Sequence, residues 1–124
     1  MKKILITRKL LKENEEKLKE LFEVVLNPDD KIYSQEELIK KSKDCDGILS
    51  SVSDQINKDT ISKLSAKIKI IANGAVGFGN IDIDAAKQKG IAVTNTPDVL
   101  TDATADIAIL LLLGASRRAL EGRI

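Results

Sequence analysis

Residues 74–82, Gly74-Ala75-Val76-Gly77-Phe78-Gly79-Asn80-Ile81-Asp82, can do chemistry with their backbone. Small residues leave the N–H groups of Gly74-Ala75-Val76-Gly77 uncovered, and successive bare amides make a concavity that suits a small carboxylate. The same stretch holds Gly77-x-Gly79-x-x-Asp82, which begins like the G-x-G-x-x-G turn that cradles a pyrophosphate. Its last position is an aspartate, and a carboxylate capping the following helix would repel the phosphates that need those N–H groups. A further reading is a plain turn whose glycines take positive φ.

The side chains exclude more than they offer. The chain has 124 residues and no histidine, which removes imidazole ligands, the Ser-His-Asp triad and imidazole acid/base chemistry. Its one cysteine, Cys45, excludes an intramolecular disulfide. Asp44 and Asp46 flank it and disfavour a thiolate. No further oxygen ligand follows at calcium-loop spacing, so residues 43–47 read as a solvated turn. Arg8 is expected to form a surface ion pair, and Lys12–Glu23 to be a solvated helix face. Twenty Lys+Arg against nineteen Asp+Glu leave a charge of +1, no ground for binding nucleic acid or an anionic membrane. The most apolar run, Ala103–Ala115, is thirteen residues, short of the ~20 that span a bilayer. Ile4-Leu5-Ile6 is too short for a signal segment, so a cytoplasmic protein is expected.

The elements that must position these residues alternate in kind. Strands are expected at Lys3–Thr7, Phe22–Leu26, Gly47–Ser50, Ile68–Asn73 and Ile91–Asn95. Helices are expected at Leu10–Leu21, from the Ser34/Glu37 capping box to about Lys43, at Lys58–Leu64, and from the Asp82 cap to Lys89 with Gly90 as its stop. A last apolar helix runs from about Ala103 to Arg118, capped by Thr101. Such βαβ units give an α/β fold, a doubly wound, flavodoxin-like parallel sheet of five strands in the order 2-1-3-4-5, covered on both faces. Ligands in such sheets bind at the carboxyl ends of the strands, which puts Thr7-Arg8, Ser50–Ser53, Asn73–Gly79 and Asn95–Pro97 on one rim. The residues at that rim do not fit other doubly wound families. A phospho-receiver needs acidic groups where Thr7-Arg8 and Ser50-Ser51 stand, and no P-loop motif exists.

From Ile70 onward the chain resembles a known family. Ile70-Ile71-Ala72-Asn73-Gly74-Ala75-Val76-Gly77-Phe78-Gly79-Asn80-Ile81-Asp82 is followed by Ala85-Ala86-Lys87-Gln88-Lys89-Gly90-Ile91, Val93-Thr94-Asn95-Thr96-Pro97 and Thr101-Asp102-Ala103-Thr104-Ala105-Asp106. These blocks, in this order, resemble the D-isomer-specific 2-hydroxyacid dehydrogenases, with the glyoxylate and hydroxypyruvate reductase-like members nearest. The resemblance is specific over 68–118 and loose over 1–67. It implies hydride transfer between NAD or NADP and a 2-oxo acid or D-2-hydroxy acid. It also implies a substrate-binding domain over residues 1–100. Residues 101–124 would be a long helix leading to a coenzyme domain that is absent from this chain, with a homodimer when complete. By resemblance the amides of Ala75, Val76 and Gly77 meet the substrate carboxylate and Val52 lines the pocket. Val76 and Thr104 face the cofactor. Ala75 and Gly79 stand where the family commonly has glycine and aspartate. The family's fingerprint, arginine, glutamate and histidine fall in its later portion, so no catalytic residue is expected here and the chain alone should be inactive. The rival is a non-enzymatic α/β module, or an inactive fragment, that binds a small acid or a partner chain.

Overall fold

The computed structural model describes residues 1–122. The elements are β1 (Lys3–Ile6), α1 (Lys12–Leu21), β2 (Glu23–Val25), α2 (Gln35–Lys41), β3 (Gly47–Ser50), α3 (Lys58–Lys63), β4 (Ile70–Asn73), α4 (Ile83–Gln88), β5 (Ala92–Thr94) and α5 (Thr101–Ser116). All neighbouring strands pair in parallel, in the order β2-β1-β3-β4-β5, as the alternation of elements implies.

Local chemistry explains most helix ends. The Ser34 hydroxyl accepts from the Glu37 amide, Asn57 Oδ1 from Thr60, and the Asp82 carboxylate from Ala85. Gly90, at φ +75, ends the turn after α4 in the conformation that favours glycine. The Lys89 ammonium donates to the carbonyls of Ile61, Ser62 and Leu64, which ties α4 to the end of α3. Thr101 is not the cap of α5. It is already helical, and the cap position is Leu100, whose side chain offers no acceptor.

Strand register sorts the side chains onto two faces. Val25, Leu5, Ile48, Ile71 and Val93 lie in one row across the sheet. They form a single core with Leu38 of α2, Ile61 of α3 and Ala86 of α4. The expected solvated turn at 43–47 is only half right. Asp44 does face outward and pairs with Lys3 at 2.6 Å, but Cys45 is fully buried in this core, where desolvation pushes its thiol pKa up.

The opposite face departs from the expectation that the sheet is covered on both sides. Ile6 is buried there, but Ile70 is 40% exposed and Ala92 and Thr94 are open. The reason is α5. It follows β5 but buries none of its residues, so no helix lies over the β4–β5 half. Gly47 sits on this face because a Cβ there would come within 2.9 Å of Ile70 Cγ2.

Candidate functional site

The loop between β4 and α4 lies at the carboxyl rim of the sheet and is tied down through its carbonyls. The Ala75 carbonyl accepts from the Thr96 amide at 2.9 Å. The Val76 carbonyl accepts from Asn95 Nδ2 at 2.8 Å and the Gly77 carbonyl from Asn73 Nδ2 at 3.0 Å. The N–H groups behave differently. Gly74 donates to the Ser50 carbonyl at 2.7 Å, so its amide is taken, contrary to the expectation of four bare N–H groups. The amides of Ala75, Val76 and Gly77 donate to no partner among the described residues. Three residues thus have satisfied acceptors and unspent donors, a surface that complements an anion.

No glycine of this loop is left-handed; among the described glycines, positive φ occurs at Gly90 alone. Side-chain amides make the turn instead, which overturns the positive-φ reading. A Cβ on Gly77 or Gly79 would meet nothing within 4 Å, whereas one on Gly74 would stand 3.3 Å from the Ser50 carbonyl. Gly74 is therefore small for packing, and Gly77 keeps space clear above the loop.

A buried polar network lies beneath. Asn73 Oδ1 accepts from Ser50 Oγ at 3.0 Å, and its Nδ2 also reaches Asn80 Oδ1 at 3.0 Å. Asn80 Nδ2 donates onward to the carbonyls of Ser51 and Asp54 at 3.0 and 2.9 Å. The Asp54 carboxylate, 2% exposed, accepts from the Thr7 hydroxyl and from the Ser51 amide. Every such buried polar atom finds a partner, which fixes the loops after β3 and β4 against each other. The sequence reading missed this network. Its signal is present in the sequence, because four of the five strands end in, or run directly into, a small polar residue: Thr7, Ser50, Asn73, Asn95.

Of the residues singled out in the sequence, Ala75, Val76 and Gly77 share one loop, and Val52 lies on the adjacent loop after β3. Val52 and Val76 are exposed apolar side chains at this rim. Thr104 stands apart, exposed near the start of α5. Arg8 forms the expected ion pair, with its Nε 2.8 Å from Asp30, and also donates to Ser53 Oγ at 2.7 Å. This cation, with the Lys9 amide beside it, holds the Asp30 pKa at about 2, down from 3.8.

The profile of the family described as D-isomer specific 2-hydroxyacid dehydrogenase, catalytic domain, matches residues 4–122. The chain belongs to that family. A glyoxylate reductase of Thermococcus kodakarensis is 44% identical over 96% of this chain and 35% of its own length. A glyoxylate reductase structure from Paecilomyes thermophila superposes with a TM-score of 0.80 at 29% identity, over 95% of this chain and 39% of that one. An NAD+-bound 3-phosphoglycerate dehydrogenase structure from Entamoeba histolytica superposes at 0.75 and 29% identity, over 91% of this chain and 38% of that one. The chain thus spans about a third of the length of the curated relatives it matches.

A D-isomer-specific 2-hydroxyacid dehydrogenase implies a nicotinamide dinucleotide, and the described residues do not fit its pyrophosphate. The start of α4 is the place that resembles the fingerprint, and there Asp82 already accepts from Ala85 at 3.0 Å. A second anion at those N–H groups would be repelled. None of the described helices is long and apolar enough to cross a membrane.

Proposed function

We propose that this chain is the substrate-holding part of an NAD- or NADP-dependent oxidoreductase that interconverts 2-oxo acids, of the glyoxylate and hydroxypyruvate type, with D-2-hydroxy acids. The observation that carries the reading is the polarity of residues 75–77: three bound carbonyls and three amides without a partner among the described residues. Family membership and the glyoxylate reductase names of the relatives support the substrate class. The coenzyme, when bound, supplies the hydride. The part assigned to this chain is to hold the carboxylate on the Val76 and Gly77 amides, with Ala75 beside them. Orientation of that kind lowers a reaction barrier by several kcal/mol. Val52 and Val76 form apolar walls, and Val76 and Thr104 lie toward the coenzyme. The proton that the product oxygen needs comes from outside residues 1–124, since this chain has no imidazole. In this reading residues 1–100 are the substrate domain and α5 leads to a coenzyme domain. The longer protein is a cytoplasmic homodimer.

The test is a titration of the isotopically labelled chain with glyoxylate, followed through its amide resonances. Shifts centred on residues 75–77 support the reading. Shifts confined to residues away from this rim would sink it.

A further inference from the structure

In a trans peptide the C=O of one residue and the N–H of the next lie in one plane and point in opposite directions. The chain has no cis peptide bond among its described residues, so each anchored carbonyl of the 75–77 loop dictates where the following amide points. Thr96 N–H pulls on the Ala75 carbonyl and so directs the Val76 amide. Asn95 Nδ2 holds the Val76 carbonyl at 2.8 Å and directs the Gly77 amide. Asn73 Nδ2 holds the Gly77 carbonyl at 3.0 Å and directs the Phe78 amide, which also has no partner among the described residues.

From this geometry we propose that Asn95 and Asn73 are positioning residues for the carboxylate and that the Phe78 N–H is an additional donor to it. The inference rests on the carboxylate reading above and adds the parts that aim the donors. The two asparagines do not touch the substrate. Each turns one peptide plane, Asn95 from the end of β5 and Asn73 from the end of β4. They differ in what else they carry. Asn73 is 2% exposed and belongs to the network through Ser50 and Asn80, so its loss also disturbs the interior. Asn95 is half-buried, and its side chain is bonded to the Val76 carbonyl alone among the described residues. Asn95 is therefore the position at which aiming separates from folding.

The experiment compares the chain with Asn95→Ala and Asn95→Asp in glyoxylate titrations read residue by residue. Both variants are expected to melt within a few degrees of the parent, because one half-exposed hydrogen bond is lost. Both are expected to bind glyoxylate about tenfold more weakly. The ligand-induced shift at Gly77 should collapse while that at Val76, aimed by Thr96, persists. Asn73→Ser, checked for an intact spectrum elsewhere, should lose the shift at Phe78 instead. A purely structural role would weaken the response of all three amides alike. Parent-like affinity with an unchanged Gly77 response in Asn95→Ala overturns the positioning role. A parent that responds at Val76 and Gly77 but never at Phe78 overturns the additional donor. A parent that responds at none of them overturns the carboxylate reading itself.

Discussion

Replacing Gly77 by proline removes one N–H from the loop and nothing from the fold's own hydrogen bonds, because that amide donates to no partner among the described residues. The space where a Cβ would stand is open, and Gly77 is not left-handed. A hydrogen bond to a charged group contributes about 1.5–3 kcal/mol. Its loss should weaken glyoxylate binding by about 10- to 150-fold. Gly77→Ala is the control. It keeps the donor, and at a non-left-handed glycine it should stabilise the fold by about 0.4–1 kcal/mol through the unfolded chain. The order of affinity expected is parent, then Gly77→Ala, then Gly77→Pro, measured by amide-resolved titration, with thermal melts run on the same samples. A folded Gly77→Pro that binds glyoxylate as tightly as Gly77→Ala would refute the claim that this amide grips the ligand.

The purified 124-residue chain is expected to oxidise neither NADH nor NADPH with glyoxylate or hydroxypyruvate, since a positioned general acid is worth about 10²- to 10⁴-fold and this chain has no histidine. Turnover free of host reductases would point to an unrecognised site. The chain is also expected to self-associate and bind an apolar dye, because Ile107, Leu110, Leu111 and Leu113 of α5 and Ile70 of the sheet are all exposed; a monomer in concentrated ultracentrifugation without dye binding would contradict this. Asp30 titrates at about 2 when folded and near 3.8 when not, so its contribution to stability is complete above pH 4 and fades as pH falls toward 2. Asp30→Asn should flatten that part of an acid-unfolding curve, and an unchanged slope would show that the Arg8 pair does not matter.

Local signals were legible in the sequence where one residue type does one local job. Ser34 and Asp82 cap because their oxygens reach amides three residues on, and β3 runs Gly47–Ser50 as its apolar content indicates. Thr101 carries the same chemistry but sits one residue inside its helix, because the chain enters α5 through Leu100 at φ −129, ψ 14. A cap is decided by backbone entry angle, which composition does not encode. Cys45 was read from its charged neighbours, yet successive side chains at that turn point opposite ways, outward for Asp44 and inward for Cys45. The uncovered β4–β5 half was invisible for a longer-range reason. An apolar helix such as α5 has the same pattern whether it folds back on its own sheet or extends away from it. Asn73 and Asn95 fall within the rim expected from the sequence and Asn80 just outside it, but the roles of all three come from pairings across 4–29 positions in the chain, which periodicity does not report.

A grip built from peptide groups has an evolutionary consequence. Almost any residue at 75 or 76 brings the same N–H, so mutation there changes the shape and chemistry of the wall without removing the donors. The carboxylate end, shared by all 2-oxo acids, would be read by atoms that point mutations other than to proline leave in place. The variable end would meet side chains such as Val52 and Val76, which are free to drift. A lineage with this loop can therefore wander among substrates by single substitutions while keeping its hold on the acid.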